Sequence, residues 1–350
     1  MKIAVLGGGH GAYAAAADLA EQGHEVRLWR RDRAAFAPVL GSGEIALIDE
    51  RGRRAVKVAA KTDIGEAVRG AELVLMPGPA TAQLDISRAM ALHLEPGQVV
   101  FMPPGTFGAF AIPHAIGFPP GVLWAETGTL PYLARKRGAA EVAITVRAVR
   151  LPTGVYPARD AERAMSTLKK AYPSVHPCGN ALSGALMNAG PVIHPPLILM
   201  NAAPLEHFER WDIHNEGTQP SVRAVTNALD AERIAVRERL GFAPPHYPLA
   251  DHYASDRWMY GDAHRKLVKS GDWREKIDLH QHRYMTEDVV FGLAFLASVA
   301  RWAGAAAPIA HGLLAVAGAI LGRDLARGER TLDALGLAGL SPAELAKRLE

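Results

Sequence analysis

The chain has 350 residues, of which 49% are hydrophobic and 21% charged, a balance that excludes a disordered protein and a length that suits two domains. Its 39 basic and 36 acidic residues leave a formal net charge of +3, too little for a dedicated nucleic-acid surface. The one cysteine, Cys178, excludes an intramolecular disulfide and a thiolate metal site, and it favours a reducing, cytoplasmic setting.

The first half of the chain alternates short apolar runs with helical patterns. Strands are predicted at residues 3–6, 26–29, 45–48, 56–59, 73–76, 99–102 and 122–125. Helical patterns cover residues 10–22 and 80–93. This alternation is typical of a mostly parallel sheet with helices on both faces. The β-branched runs over residues 142–155, broken by Pro152 and Gly154, predict a hairpin at the edge of that sheet.

A glycine-rich turn follows the first predicted strand and opens the first helix. Its residues, which fit the pattern G-x-G-x-x-A, are Gly7, Gly8, Gly9, His10, Gly11 and Ala12. Gly7 permits the tight turn, Gly9 lets the backbone approach a pyrophosphate, and Ala12 lets the helix pack closely on the sheet. The helix N-terminus supplies amide donors for the phosphates. The motif predicts a Rossmann-type dinucleotide-binding domain, and the alternative is a glycine-rich turn without a ligand.

The end of the second predicted strand bears on the choice of cofactor. An NAD site carries an acidic residue there, but here Trp29 is followed by Arg30 and Arg31. Arginine can clamp a 2′-phosphate and stack on adenine, so NADP(H) is favoured over NAD(H), with an exposed surface charge pair as the alternative. Other residues at strand ends are predicted to line the same cleft: Pro77, Gly78, Thr106, Glu126 and Thr129. For the last three, a place on a surface loop is an equal alternative.

The second half of the chain is predicted to be helical, with long patterns at residues 221–240, 286–302 and 308–321. Ser341 and Glu344 form a capping box around Pro342, which predicts a last short helix. We therefore predict an α/β Rossmann-type doubly wound sheet over residues 1–179, followed by an all-α substrate and catalytic domain over residues 180–350.

One uncharged stretch, residues 302–322, is as long as a bilayer span. It contains Pro308 and His311 and is mostly alanine and glycine, so a buried core helix is the better interpretation and no membrane association is predicted. The segment could bury itself within the helical domain or against a second copy of the chain, which would make a homodimer.

Two segments of the helical half carry candidate catalytic groups. His194 precedes two prolines, which predicts an extended residue aimed from just before a helix start. Thr286 is predicted to cap a helix whose first turn contains Asp288. A carboxylate such as Asp288 can orient a catalytic histidine, and Arg283 could bind a substrate carboxylate. Both segments also fit purely structural roles, and their spacing does not show that they meet.

Six stretches, in order along both predicted domains, carry a family resemblance: residues 5–12, 188–196, 218–221, 229–233, 283–289 and 327–337. They resemble the opine dehydrogenases, which include octopine and nopaline dehydrogenases and bacterial N-(carboxyethyl)amino-acid dehydrogenases. The resemblance implies NAD(P)H-dependent reductive condensation of a 2-oxo acid, usually pyruvate, with the amino group of an amino acid. It also implies that His194 is the general acid–base, Asp288 its orienting partner and Arg283 the carboxylate anchor.

The resemblance leaves some points open. Relatives that use NAD have an acidic residue where Arg30 stands, and Gly190 stands where some relatives have a polar residue, so the amino acid is not identified. A rival reading is a 2-oxo acid reductase similar to ketopantoate reductase, but residues 181–188 lack the lysine that such enzymes use. Another rival is a non-catalytic NADP(H)-binding sensor, which would not need His194 and Asp288 to meet.

Overall fold

The computed structural model describes residues 1–270 and 273–350, and the chain forms two compact units, Met1–Ala185 and Leu186–Glu350. The sequence places the division at residue 179, six residues earlier. The difference arises because the last strand of the first unit runs to Asn180 and the short helix Ala181–Ala185 packs on the strands of the same sheet.

The first unit contains twelve strands and seven α-helices. The strands are β1 Lys2–Leu6, β2 Glu25–Trp29, β3 Glu44–Asp49, β4 Gly52–Lys57, β5 Ala59–Lys61, β6 Leu73–Leu75, β7 Val99–Met102, β8 Leu123–Thr127, β9 Tyr132–Gly138, β10 Glu141–Arg147, β11 Leu151–Tyr156 and β12 Val175–Asn180. The helices are α1 His10–Glu21, α2 Ala37–Ser42, α3 Ile64–Val68, α4 Ala80–Met90, α5 Gly108–Ala115, α6 Ala161–Ala171 and α7 Ala181–Ala185. Short 3₁₀ turns lie at Ala91–His93 and Ala158–Asp160.

An eight-stranded sheet is the centre of this unit, in the order β12-β11-β8-β7-β6-β1-β2-β5. All its pairs are parallel except β11 with β8. Strand β1 is buried from Ile3 to Leu6, as expected for a strand covered on both faces. The chain leaves β1 towards β2 on one side and later returns to β6 on the other, so β1 ends at the switch point where doubly wound sheets bind ligands. The predicted Rossmann-type fold is confirmed.

A second sheet of four strands, in the order β4-β3-β10-β9, packs against α1. The predicted hairpin over residues 142–155 is therefore wrong, because β10 pairs with β3 and β9 whereas β11 pairs with β8 and β12. All six residues of β11 are buried. A strand that is buried along its whole length is more stable with a hydrogen-bonded partner on each side, inside the large sheet, than at a sheet edge.

The second unit is helical, as predicted, apart from the two-residue strands β13 Trp211–Asp212 and β14 Arg274–Glu275. Its helices are α8 Gly190–Met200, α9 Ala202–His207, α10 Pro220–Arg239, α11 Ala250–Ala254, α12 Ala263–Ser270, α13 Ala294–Ala303, α14 Pro308–Leu321 and α15 Pro342–Arg348. A π-helix, Tyr284–Leu293, leads directly into α13, and a 3₁₀ turn lies at Leu325–Arg327. The predicted capping box at Ser341 and Glu344 is confirmed.

The apolar stretch at residues 302–322 is not one buried helix. Gly304, with φ of +64°, ends α13, and Pro308 begins α14. Helix α14 buries only Ala310, Leu314 and Ala317, and Val316 on its other side is 51% exposed. Among the described residues, no helix combines the length and the apolar character that crossing a bilayer requires.

Candidate active site

The glycine-rich turn connects β1 to α1 in the first unit. Gly7 has φ of +136°, a conformation that suits glycine, and its N–H donates to the Trp29 carbonyl at 2.9 Å. Gly9 is the N-cap of α1 and offers no side-chain acceptor, so the first amide groups of the helix can bind an anion. The turn therefore has the backbone arrangement that a cofactor pyrophosphate requires.

The two arginines after β2 occupy different places. The side chain of Arg30 lies over the glycine-rich turn, where a Cβ on Gly8 would come within 2.5 Å of its Nε. Its Nη1 donates to the Tyr13 hydroxyl at 3.4 Å. Arg31 is exposed, and its guanidinium lies 3.8 Å from the Asp85 carboxylate on α4. The structure thus brings Arg30 to the glycine-rich turn, while Arg31 pairs with a neighbouring helix.

Lys136 on β9 is a second cation at the turn, and the sequence analysis missed it. Its Nζ donates to the Gly8 carbonyl at 3.3 Å and lies 3.7 Å from the centre of the Tyr13 ring. Its backbone N–H donates to Nδ1 of His10 at 2.8 Å. Burial and, after it, the charge of Arg30 lower the pKa of Lys136 to about 8. Arg30 and Lys136 repel each other beside the first amide groups of α1, so an anionic ligand bound there would be stabilised by both cations.

The other predicted cleft residues divide into two groups. Pro77, which follows β6, lies against the turn, with its carbonyl 3.1 Å from the position of a Cβ on Gly11, and Gly78 comes next in the chain. Glu126 does not line a cleft, because it is fully buried and accepts N–H bonds from Phe107 at 2.8 Å and Ala109 at 3.2 Å at the start of α5. Its carboxylate stabilises that helix N-terminus. Thr106 and Thr129 are buried as well.

In the second unit, His194 and Asp288 form a hydrogen-bonded pair. Nδ1 of His194 lies 2.7 Å from Oδ2 of Asp288. The Asp288 side chain is 3% exposed and that of His194 is 15% exposed. Burial raises the pKa of Asp288 to about 7, against the lowering effect of the Arg283 charge. A group of this kind, which can change its protonation near neutral pH next to a histidine, is suited to proton transfer.

Both local predictions for these segments are wrong, although the segments meet. Helix α8 begins at Gly190, so His194 lies inside it, and the two following prolines are buried in the helix. Because α8 is almost entirely apolar, the free energy gained by burying it outweighs the loss of the two backbone hydrogen bonds that the prolines cannot donate. Thr286 is not a cap: the π-helix begins at Tyr284, and the Thr286 hydroxyl donates to the His282 carbonyl at 3.4 Å.

Close packing explains two glycines at this helix contact. A Cβ on Gly190 would lie 2.1 Å from Oδ1 of Asp288, and a Cβ on Gly292 would lie 2.2 Å from Cγ of Pro191. Neither space admits a methyl group. Gly190 therefore lets Asp288 approach α8, and this steric requirement accounts for the glycine that the sequence analysis related to the amino-acid substrate.

The carboxylate anchor suggested by the sequence lies at the start of the π-helix. The Arg283 side chain is 44% exposed, and its guanidinium lies 3.3 Å from the buried Glu287 carboxylate. Its charge acts on Asp288 through space. An arginine that is partly exposed beside the pair can bind an anion, in exchange for part of its contact with Glu287.

Tyr284 and His214 extend the pair, and neither was singled out from the sequence. The Tyr284 ring stacks on the His194 ring, with the ring centres 3.7 Å apart and the planes 11° from parallel. The Tyr284 hydroxyl is hydrogen-bonded to Nε2 of His214 at 2.8 Å. An aromatic face over an imidazole stabilises its protonated form. Tyr284 lies within a stretch that carries the family resemblance, which was the available signal.

Comparisons with known proteins agree with this architecture. Residues 177–321 match the model of the NAD/NADP octopine/nopaline dehydrogenase alpha-helical domain, and residues 2–103 match that of the NAD-dependent glycerol-3-phosphate dehydrogenase N-terminus. An opine dehydrogenase of Arthrobacter sp. (strain 1C) is 28% identical over 360 residues, which cover 99% of this chain and 98% of the relative.

Two solved structures share the fold. Octopine dehydrogenase with NADH and L-arginine superposes with a TM-score of 0.70 at 20% identity, covering 97% of this chain and 98% of the other. Yersinopine dehydrogenase with NADP⁺ has a TM-score of 0.68 at 16% identity, covering 100% of this chain and 98% of the other. The chain is thus similar over its whole length to the opine dehydrogenases, carries their helical domain at residues 177–321, and is an NAD(P)-dependent oxidoreductase.

Proposed function

We propose that the protein catalyses reductive condensation of a 2-oxo acid, with pyruvate as the first candidate, and the amino group of an amino acid. The amine and the oxo acid lose water to give an imine, whose carbon then accepts hydride and whose nitrogen keeps a proton. Reduced nicotinamide cofactor supplies the hydride when it is bound. The contact between His194 and Asp288 carries this proposal, because a cofactor-binding sensor has no use for such a pair.

His194 is assigned the proton transfers. With its Nδ1 bonded to Asp288, proton exchange with substrate falls to Nε2, which acts as a general acid–base. Asp288 fixes the orientation of the imidazole, and the stacked Tyr284 ring stabilises the imidazolium. Arg283 is assigned the carboxylate of the 2-oxo acid, since a guanidinium binds a carboxylate through two parallel bonds. These roles belong to the helical substrate and catalytic domain.

We further propose NADP(H) as the preferred cofactor. The relatives include structures with NADH and with NADP⁺, so the preference rests on the residues of this chain. Arg30 lies over the turn where an NAD site carries an acidic residue, and Lys136 adds a second cation. The amides of Gly7 to Ala12 are assigned to the pyrophosphate, with Pro77 and Gly78 beside them. Arg31 is assigned to the 2′-phosphate together with Arg30, in exchange for its contact with Asp85.

Two finer proposals concern the setting. A homodimer is proposed through α14, because this uncharged helix leaves an apolar side with Val316 exposed. A sedimentation mass near that of one 37.4 kDa chain at micromolar concentration would contradict it. A cytoplasmic location is proposed from the single cysteine.

The test is a screen of NADPH oxidation. Each natural amino acid is combined with pyruvate, glyoxylate or 2-oxoglutarate, and each reaction is repeated with NADH. We expect oxidation only when an amino acid and a 2-oxo acid are both present, with a secondary amine dicarboxylate as the product in mass spectrometry. Oxidation with the 2-oxo acid alone would indicate a reductase similar to ketopantoate reductase. Tight NADPH binding without any oxidation would indicate a sensor.

A further inference from the structure

A group of basic and aromatic side chains lies in the second unit outside the His194–Asp288 pair. It consists of Arg223 on α10, His252 and Tyr253 on α11, and His264 on α12, and we call it the Arg223 cluster. The guanidinium carbon of Arg223 is 4.8 Å from the centre of the Tyr253 ring. The His264 ring lies 4.9 Å from the Tyr253 ring and 5.4 Å from the His252 ring. Three helices thus bring three basic side chains around one tyrosine.

Two polar atoms of the cluster are buried without a hydrogen-bond partner among the described residues. They are Nε of Arg223 and Nδ1 of His252. His252 is 8% exposed, so water has little access to it. Buried donors without acceptors are costly, and proteins keep them where a ligand supplies the missing partner. A group with two acceptor oxygens could satisfy an arginine and a histidine together.

The charge of the cluster at neutral pH is that of the Arg223 guanidinium. The pKa of His252 is lowered to about 3, mainly by burial and in smaller part by the charges of His264, His214 and Arg223. Arg223 remains a cation under all ordinary conditions. The acid that is nearest in the chain, Asp251, is held by Arg257 at 2.8 Å. Because burial also lowers the pKa of His264, both imidazoles are uncharged at neutral pH, and an anion bound here would pair with the Arg223 guanidinium.

His214 connects the cluster to the catalytic pair. The charge of His214 acts on His252, and the His214 ring lies 6.1 Å from the ring of His194. Its Nε2 is bonded to the hydroxyl of Tyr284, whose ring covers His194. His214 thus interacts with His252 of the cluster and also lies beside the ring of His194.

We propose that the Arg223 cluster binds the carboxylate of the amino-acid substrate. This inference rests on the proposed function, in which the product carries two carboxylates. Arg283 is assigned the carboxylate of the 2-oxo acid, and Arg223 with His252 then holds the carboxylate next to the reacting amino group. The Trp258 ring, 4.6 Å from that of His252, provides an apolar wall beside this site.

The first test uses Arg223→Gln, with Arg265→Gln as the matched control because Arg265 is 81% exposed and pairs with Asp262. We expect Arg223→Gln to raise KM for the amino acid by about ten- to hundredfold, the effect of losing a charge-assisted bond. KM for the 2-oxo acid and the affinity for NADPH should stay within about twofold. If Arg223→Gln does not fold, His252→Gln takes its place, with a smaller expected rise in KM of about three- to tenfold, because His252 contributes a neutral hydrogen bond.

The second arm removes the carboxylate from the substrate instead of the arginine. The best amino acid of the screen is compared with the amine that lacks its carboxylate. Arg223→Gln should leave KM for the amine unchanged, because no carboxylate is present to lose a partner. An equal rise in KM for the amino acid and for the amine, or a rise for the 2-oxo acid instead, would overturn the assignment.

A binding measurement separates this inference from the proposed function. If the parent protein turns over no pair of substrates, the proposed function fails. Tryptophan fluorescence then measures whether the Arg223 cluster still binds a carboxylate. The probes are L-leucine and isopentylamine, which differ only in the carboxylate, and Trp258 is the reporter next to His252. A signal from L-leucine alone, lost in Arg223→Gln, supports a carboxylate site. Equal signals from both probes, or none from L-leucine, would overturn it.

Discussion

Replacing Asp288 by asparagine should stabilise the protein while it removes activity. The carboxylate is buried, and its pKa is raised from 3.8 to about 7, so holding the negative charge above neutral pH costs folding free energy. An amide has the same shape and can still accept the bond from His194, but it carries no charge. It also cannot stabilise a protonated imidazole, so kcat should fall by roughly two to four orders of magnitude.

The size of the stability effect follows from the pKa of Asp288. Because this pKa is raised on folding, the folded protein binds the proton more tightly than the unfolded chain. Stability therefore falls as the pH rises from about 4 to about 7, and the loss stays constant above that range. A difference of about three pKa units corresponds to about 4 kcal/mol, and this is an upper limit because the hydrogen bond to His194 offsets part of it.

The assay is urea unfolding of the parent and of Asp288→Asn at about pH 4 and about pH 8. The stability gained by the variant should be larger at the higher pH by up to about 4 kcal/mol. Asp333→Asn is the control, because Asp333 is 58% exposed in a surface ion pair with Arg301 and should matter by less than about 1 kcal/mol. A variant whose stability relative to the parent does not change with pH, or one that keeps its turnover, would refute the reasoning.

His194→Ala should lower kcat by about two to four orders of magnitude and leave NADPH binding intact, and a folded variant with parental turnover would exclude the acid–base role. Arg30→Asp should reverse or remove the preference for NADPH, and a parent enzyme with the higher kcat/KM for NADH would contradict the assignment. Lys136→Met should weaken NADPH binding more below about pH 8 than above it, since the parent amine is charged below that pH and loses its charge above it. An equal effect below and above about pH 8 would argue against a contact between this cation and a phosphate. Gly190→Ala should cost roughly 1–3 kcal/mol and lower kcat, because its methyl group meets the carboxylate of the proposed pair, whereas Gly312→Ala, with nothing within 4 Å, is the neutral control.

Local patterns predicted the elements whose signal is local. The apolar run that forms β1 and the glycines after it need no distant partner to be recognised, and α14 runs from Pro308 to Leu321 as its sequence indicates. The cap at Ser341 is likewise a contact over three residues. These are elements in which propensity, pattern and tertiary environment agree.

Features that depend on distant partners could not be predicted in this way. Lys136 meets the glycine-rich turn from 126 residues further along the chain, and nothing in its own strand distinguishes it from a solvated lysine. The helix around His194 forms despite its prolines because the tertiary environment buries it. His194 and Asp288 are 94 residues apart, and only the family resemblance related them before the fold was known.

The two glycine contacts between α8 and the π-helix have a consequence for how the sequence can vary. Most positions on these helices are filled by interchangeable apolar side chains, and such surfaces tolerate substitution when volume is kept. Gly190 and Gly292 have no such freedom, because a single added carbon would lie 2.1 or 2.2 Å from a neighbouring atom. In a saturation mutagenesis library selected for activity, these two positions should accept glycine alone, while their apolar neighbours should accept other apolar residues. The spacing of the two helices would then depend on two residues that take no part in the chemistry.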